Sequence, residues 1–265
     1  MCVKLWAQSK AKKSQVRIVL TNHKGGVGKS TLAASIAVTS ATLGYKTLAV
    51  DLDIQGHSTA LCGVPPVDLE YTSLHVLLGD CSLDDAIVES PHSENLFVLG
   101  NALTAERLAR LLETEQSKRD LRLKMALDST DFDVVVIDCQ PELNTRAVNG
   151  VVASTYVVCP VMLEPMALVG LSSVRTFVRN LEKQIDMVVL VFVDERLRLS
   201  RLIRQELQLL EHEKLCSVTI PRSVRVPELS WKGIPPALVP EKHPVCEAYY
   251  EASKVILDDA FKKGC

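Results

Sequence analysis

The sequence predicts an α/β fold with a mostly parallel, twisted sheet and helices on both faces. Short apolar runs rich in β-branched residues alternate with longer stretches of helical apolar spacing. A glycine-rich loop joins the first of these runs to the first helical stretch, and two later runs end in aspartate. Buried strands that alternate with helices form parallel sheets, whose ligands bind at the carboxyl ends of the strands.

The predicted elements begin with a strand, a loop and a helix. Val16–Thr21 is a β-branched run, and Ser30–Leu43 has helical spacing and stops before Gly44, a natural C-cap residue. The same patterns predict the remaining elements, in which strands and helices alternate. The further strands are Thr47–Asp53, Leu96–Leu99, Phe132–Asp138, Tyr156–Val161, Met187–Val193 and Ser217–Ile220, and the helices are Thr104–Ala126, Ala167–Glu182, Arg201–Glu213 and Val245–Lys262.

Length and composition favour one domain. The chain has 265 residues, 47% of them hydrophobic, which is enough to bury a large core, and no linker rich in Pro, Gly or Ser divides it. We therefore predict a single domain over residues 16–265. The preceding residues 1–15 are short and basic, and form either a disordered lead or a docking segment.

Charge and targeting features restrict the location of the protein. The 30 basic and 32 acidic residues nearly cancel, so contact with nucleic acid requires a local patch. The start, MCVKLWAQSKAKK, lacks the apolar region of a secretory signal. The most apolar segment, residues 150–171, is interrupted by Pro160, Glu164 and Pro165, which argues against a bilayer span. We expect a cytoplasmic protein.

The loop HKGGVGKST has the chemistry of a phosphate-binding loop. Its backbone N–H groups converge on an anion, and the following helix adds a positive N-terminus. Lys29 is expected to reach the β and γ phosphates of ATP, Ser30 to ligate Mg2+, and Thr31 to hold the α phosphate. The alternative is a glycine-rich turn without a ligand. The predicted nucleotide contacts in the loop are Gly25, Gly26, Val27, Gly28, Lys29, Ser30 and Thr31.

Two carboxylates follow predicted strands and are candidates for the metal and the attacking water. Asp138 ends the run VVVI, where a carboxylate commonly holds Mg2+ through water molecules. Asp53 lies in DLDIQG, from which it can orient the water or hold a metal-bound water. Each has a structural alternative, because Asp138 can cap the next turn and Asp53 can form an Asx-turn.

A second lysine, Lys24, precedes the loop lysine Lys29 by five residues. Two ammonium groups on one γ phosphate would partly duplicate each other, so a lysine directed outward is free to meet the phosphate of a second subunit. The alternative is a solvated loop lysine.

Four motifs, NHKGGVGKST, DLDIQG, FDVVVIDCQP and IPRSVRVPE, resemble those of the ParA/MinD group of deviant Walker ATPases, which are P-loop NTPases. The resemblance implies a homodimer that encloses ATP and Mg2+ and separates after slow hydrolysis stimulated by a ParB-like or other adaptor. It implies that Lys24 bridges the subunits, Lys29 binds phosphate and Asp53 is needed for hydrolysis. It also places Pro221 beside the adenine.

Three residues depart from the usual family pattern. His23 stands where Gln is common, Ile54 replaces a proline after the acidic loop, and Gln140 replaces the first proline of D-x-P-P. None of these changes removes a group that the chemistry needs. We expect them to affect rates and loop rigidity more than the type of reaction.

A group of arginines is a candidate contact for DNA backbones without base reading. In ParA relatives, arginines at positions matching Arg196 and Arg225 contribute to sequence-independent DNA binding, which would place the protein on the nucleoid. The alternative is a soluble helix face paired with Glu195, Glu206 and Glu211. The group comprises Arg196, Arg198, Arg201, Arg204, Arg222 and Arg225.

Two other classes of protein share this phosphate loop but differ in function. MinD-like regulators of division bind membranes through a C-terminal amphipathic helix, but the tail EASKVILDDAFKKGC has few apolar residues, so no membrane contact is expected. Nitrogenase-iron-protein relatives hold an iron-sulfur cluster with cysteines, for which Cys139 and Cys159 are the candidates. Because none of the eight cysteines is spaced as C-x-x-C, we expect buried thiols instead.

Overall fold

A computed structural model describes residues 15–114, 119–142, 144–194, 196–209 and 214–264. These residues contain an eight-stranded sheet in the order β3-β4-β2-β5-β1-β6-β7-β8. All neighbouring strands are parallel except β3 and β4, which are antiparallel. The predicted α/β class is confirmed. The strands are β1 Val16–Leu20, β2 Thr47–Asp51, β3 Ile87–Glu89, β4 Leu96–Leu99, β5 Val134–Asp138, β6 Tyr156–Met162, β7 Met187–Val191 and β8 Lys214–Leu215.

Helices cover both faces of the sheet. The helices α1 and α11 pack against each other on one face, and α5, α6, α7 and α8 contribute buried residues to the core on the other. The helices are α1 Lys29–Thr42, α2 His57–Leu61, α3 Ser73–Leu78, α4 Leu83–Ala86, α5 Glu106–Thr114, α6 Arg122–Asp128, α7 Thr145–Ala153, α8 Ala167–Asn180, α9 Arg198–Leu209, α10 Arg225–Trp231 and α11 Pro244–Lys263.

The central strands are apolar on both faces because helices cover both. All residues of β1, β2, β5 and β7 are buried, and their alternating side chains divide between two hydrophobic clusters. This burial explains why the sequences of these strands are continuously apolar and do not alternate between apolar and polar residues. Parallel pairing aligns Leu20 and Asp51 with Asp138, so the ends of β1, β2 and β5 share one edge.

Two predicted elements differ in the structure. The predicted helix Thr104–Ala126 is wrong as a single helix: the described residues form α5 and α6, and a 3-10 turn at Arg119–Leu121 precedes α6. Helix α5 packs on α3, and α6 packs on α3 and α7. The predicted strand Ser217–Ile220 is wrong. The edge strand is Lys214–Leu215, and only an isolated bridge joins Pro221 to Val193, since proline has no N–H to continue a ladder.

Parts of the predictions lie outside the described residues. These are residues 1–14, the segment 115–118 within the predicted helix Thr104–Ala126, Glu195, and the segment 210–213, where the predicted helix Arg201–Glu213 ends. Over the part of the chain that the structure describes, no helix is long and apolar enough to cross a membrane.

Candidate functional site

The phosphate loop connects β1 to α1 at the carboxyl edge of the sheet. Gly26 and Gly28 have φ angles of 74° and 75°, a conformation that side-chain-bearing residues rarely adopt. Gly28 is also the N-cap of α1, and a Cβ there would lie 3.2 Å from the ring of Phe192. The two glycines therefore give the backbone a turn that directs the amides before α1 toward an anion.

Lys29 is buried at the start of α1. Its Nζ donates to the carbonyl oxygen of Lys24 at 3.0 Å, which folds the side chain back over the loop. Burial lowers the pKa of the Lys29 ammonium, and the nearby Asp138 opposes that shift. An anion in the loop would give this buried cation a charged partner.

Asp138, at the end of β5, is buried and lacks a normal partner. Neither of its carboxyl oxygens has a hydrogen bond of ordinary geometry among the described residues, although the Ser30 hydroxyl is close enough to lower its pKa somewhat. Burial, followed by the repulsion of Asp51, raises the pKa of Asp138 to about 8. An unsatisfied buried carboxyl beside a hydroxyl suits Mg2+, which prefers oxygen ligands and retains waters.

The neighbouring Asp51 differs in its contacts. Its Oδ2 accepts hydrogen bonds from the backbone N–H and the hydroxyl of Thr59, at 3.0 and 2.7 Å. Its Oδ1 accepts from the backbone N–H of Asp53 at 3.0 Å. Asp51 is therefore a structural anchor that holds α2 and the loop after β2.

Asp53 lies on that loop. Its carboxylate accepts a hydrogen bond from the backbone N–H of Gln55 at 3.1 Å, so the Asx-turn that was the structural alternative is present. The side chain is half-buried and nevertheless lines the same cavity as the phosphate loop. The turn leaves its other oxygen available to a water or a metal-bound water.

A cavity of about 1200 Å³ lies over the carboxyl edge of the sheet. It is large enough for a nucleotide. Of the predicted site residues, Lys24, Gly25, Val27, Asp138 and Pro221 do not line it. Those that line it are Gly26, Gly28, Lys29, Ser30, Thr31 and Asp53, together with Arg222 and Ser223, which follow Pro221.

Lys24 is exposed on the outer limb of the loop. Its Nζ forms an ion pair with Glu164, and its backbone N–H donates to Oδ1 of Asn22 at 2.9 Å. Asn22 is itself buried and donates to the carbonyl oxygen of Pro160 at 2.7 Å. The backbone of this part of the loop is thus anchored to β6, and the Lys24 ammonium pairs with Glu164, which does not line the cavity.

Similarity to known proteins identifies the family. A family model described as an AAA domain matches residues 15–190. The sporulation initiation inhibitor protein Soj of Bacillus subtilis (strain 168) is 32% identical over 90% of this chain and 97% of its own length. The chain belongs to the ParA/Soj family of P-loop ATPases.

A further relative agrees with this membership, and a solved structure agrees with the fold. The chromosome partitioning protein ParA of Caulobacter vibrioides is 30% identical over 91% of this chain and 93% of its own length. Cobyrinic acid a,c-diamide synthase from Mycobacterium smegmatis, solved with a bound ATP analog and magnesium, has a TM-score of 0.78 at 27% identity, covering 92% of this chain and 94% of its own. The ParA/Soj architecture of this chain therefore extends well beyond the phosphate loop.

The two arginines predicted to contact DNA each have an acidic partner in this ParA/Soj-type chain. Arg196 is exposed and donates twice to Asp194, at 2.8 and 2.7 Å, which lowers the pKa of Asp194 to about 2. Arg225 begins α10 and donates to Glu228 at 2.8 Å. Of the other arginines, Arg198, Arg201 and Arg222 are exposed and Arg204 is half-buried.

Two cavity-lining residues give no clear signal in the sequence. Phe192 follows β7 and has a φ angle of 54°, a strained conformation that costs about 1–3 kcal/mol in a non-glycine residue. Its ring covers Gly28. Arg146, near the start of α7, is buried. Each is a single residue that only the tertiary fold brings to the phosphate loop.

Proposed function

We propose that this chain is an ATP-driven switch of the ParA kind. ATP and Mg2+ join two copies into a dimer that binds DNA without sequence preference, and an adaptor stimulates hydrolysis and release. Such a cycle would take place in the cytoplasm and would move or position a cargo on the nucleoid. The observation that carries the proposal is a phosphate loop that has an exposed second lysine, Lys24, together with a buried Lys29 and a buried Asp138 at the end of the adjacent strand.

The loop and its lysines would bind and polarise the phosphates. Backbone amides around Gly28 and the N-terminus of α1 stabilise negative charge on the phosphate chain, and the ammonium of Lys29 exchanges the carbonyl of Lys24 for a phosphate oxygen. Ser30 and Asp138 would hold Mg2+, Asp138 through water molecules. When bound, Mg2+ supplies positive charge at the phosphate oxygens.

Asp53 would orient the water that attacks the γ phosphate. Asp53 lies in a turn after β2 and lines the same cavity as the phosphate loop. One carboxyl oxygen is held by the N–H of Gln55, which limits rotation of the group. A water bound to the other oxygen would be positioned and polarised before the reaction begins.

Lys24 would act on the nucleotide of the opposite subunit. In the single chain its ammonium pairs with Glu164, and both side chains are more than one third exposed at 46% and 39%. An exposed ion pair contributes little, about 0–1 kcal/mol, so a phosphate can replace Glu164 as the partner of Lys24. Dimer formation would then depend on the nucleotide.

Gel filtration with a non-hydrolysable ATP analogue and Mg2+ tests the proposal. We expect a dimer for the wild type and a monomer for Lys24→Ala. A matched control is Lys46→Ala, because Lys46 is a half-buried lysine that pairs with the exposed Asp131 near the amino ends of the strands, and this variant should still dimerise. A wild-type monomer, or a Lys24→Ala dimer, would contradict the proposal.

Co-sedimentation of the analogue-bound dimer shows whether it binds DNA or a lipid membrane. We expect retention on DNA and none on anionic lipid vesicles. Retention on vesicles alone would instead support a MinD-like regulator of division.

A further inference from the structure

Arg146 is a buried cation with few partners. It is the second residue of α7 and is 6% exposed, yet its side chain lines the cavity that contains the phosphate loop and Asp53. Its Nε has no hydrogen-bond partner among the described residues. Its Nη1 makes one long contact, at 3.4 Å, with the carbonyl oxygen of Leu52.

Among the described residues, no ion pair joins Arg146 to the acidic groups nearest to it, Asp53, Glu113 and Glu142. Glu113 accepts a hydrogen bond from the Thr145 hydroxyl at 2.6 Å, and Glu142 lies 3.4 Å from the side-chain nitrogen of Gln140. Burial lowers the pKa of the Arg146 guanidinium, and Asp53 is first among the acidic groups that oppose this shift. The buried charge is therefore held close to Asp53 without a salt bridge to it.

A buried cation without a full partner destabilises the folded chain. Such a group is expected where a ligand or a rearrangement supplies the missing partner, because functional sites commonly retain unfavourable interactions. The contact of Arg146 with the backbone of Leu52 places it against the residue that precedes Asp53. A second buried cation of the cavity, Lys29, contacts the phosphate loop instead, since its Nζ donates to the carbonyl oxygen of Lys24.

We propose that Arg146 is a positioning residue for hydrolysis, whose guanidinium binds the Asp53 carboxylate in the nucleotide-bound state and fixes its direction toward the attacking water. This proposal rests on the proposed function, since it assumes that Asp53 acts on water. Arg146 does not touch the phosphates in this proposal. It acts through Asp53.

Arg17 provides a matched control whose charge is already paired. It is also a buried arginine, 9% exposed, but it lies near the amino end of β1, at the end of the sheet opposite to the cavity. Its Nη1 pairs with Asp128 at 2.9 Å, and its Nε donates to Gln15 at 2.5 Å. Replacing Arg17 removes satisfied interactions, whereas replacing Arg146 removes an unsatisfied charge.

The experiment measures steady-state ATP hydrolysis and thermal unfolding for Arg146→Met, Arg146→Lys and Arg17→Met. For Arg146→Met we expect kcat to fall about tenfold to a hundredfold, because a misdirected catalytic group has effects of that size. KM should change by less than about twofold, since every group that binds the phosphates is retained. Its melting temperature should stay the same or rise, and Arg146→Lys should recover part of kcat.

Arg17→Met should show the reverse, with a lower melting temperature and an unchanged kcat. In an Asp53→Ala background, Arg146→Met should cause no further loss of kcat, because both residues act on the same water. The proposal is overturned if Arg146→Met keeps the wild-type kcat, raises KM alone, or lowers kcat only together with the melting temperature. If Arg146→Met keeps its kcat while Asp53→Ala is inactive, only the assignment of Arg146 fails. If Asp53→Ala itself hydrolyses ATP at the wild-type rate, the role of Asp53 in the proposed function fails, and that of Arg146 with it.

Discussion

In the described part of the chain, charged groups have partners at the amino ends of the strands (the amino edge of the sheet), whereas two of them lack a full set of partners at the carboxyl ends (the carboxyl edge). At the amino edge, Arg17 has Asp128 and Gln15 as partners, and Asp133 accepts a hydrogen bond from the backbone N–H of Lys46 at 2.9 Å. At the carboxyl edge, Asp138 and the Nε of Arg146 have no hydrogen-bond partner among the described residues. Fold stability favours satisfied polar groups, so two buried ionisable groups with unpartnered atoms at the carboxyl edge indicate a site whose partners arrive with a ligand.

The largest effect expected at the carboxyl edge is on hydrolysis. Asp53→Ala should reduce the ATPase rate by about a hundredfold or more, since general-base positioning contributes effects of this size. The ATP-bound dimer should then accumulate. Phosphate release and gel filtration, measured on the same sample, check both results. A variant that hydrolyses ATP at the wild-type rate would remove Asp53 from the mechanism.

A second prediction compares Asp138 with Asp51, which lie at paired positions on adjacent strands. Without ligands, Asp138→Asn should raise the free energy of unfolding by about 1–3 kcal/mol, because it removes a buried acid that has no partner. Asp51→Asn should lower it, because the carboxylate accepts bonds from Thr59 and Asp53. Urea unfolding of both variants measures the difference.

The pH dependence sharpens this second prediction. The pKa of Asp138 is raised from near 4 to about 8, so between these values the folded chain keeps a proton that the unfolded chain releases. The contribution of Asp138 to wild-type stability therefore falls as the pH rises from about 4 to about 8. The advantage of Asp138→Asn should grow over this window and then level off. An advantage independent of pH would show that ionisation of Asp138 is not its cause.

A third prediction concerns DNA binding by Arg225, which begins α10 beside the carboxyl ends of the strands. Arg225→Glu should abolish ATP-dependent retention on DNA and leave dimerisation intact, because it reverses the charge of one phosphate contact. At lower salt, where binding of the variant can still be measured, the slope of log affinity against log salt should be shallower by about one unit for each DNA phosphate that is no longer neutralised. Binding measured over a range of salt concentrations tests this. Unchanged retention would exclude Arg225 from the DNA contact.

The smallest effect is expected at the amino edge, for the exposed pair Lys46 and Asp131. Their side chains are 40% and 83% exposed. The double-mutant cycle of alanine variants should give a coupling below about 1 kcal/mol, as is usual for exposed pairs. A larger coupling would mean that even exposed charges at this edge stabilise the fold strongly.

The sequence was sufficient to predict the fold class and the order of the central elements. Val16–Leu20, Leu96–Leu99 and Val134–Asp138 are apolar runs buried on both faces, and such runs are distinctive when helices alternate with them. Edge elements were harder to predict. The segment Ser217–Ile220 has strand-like residues but lies where only Pro221 bridges to Val193.

The candidate site was predictable where residues are adjacent in sequence. The phosphate loop forms from consecutive residues, so its geometry follows from the glycines and the start of α1. Helix α7 brings Arg146 to the cavity, and strand β7 brings Phe192 to Gly28, and no local pattern marks either position. The pairing of Lys24 with Glu164 was likewise hidden, because 140 residues separate the partners.

One measurement tests the central claim that the carboxyl edge is completed by a nucleotide and Mg2+. Thermal unfolding of the wild type and of Asp138→Asn should be compared with and without Mg2+ and a non-hydrolysable ATP analogue. We predict that the order reverses: the variant melts higher without ligands, and the wild type melts higher with them, because ligand binding stabilises only the chain that can hold the metal. The same order in both conditions would contradict this claim.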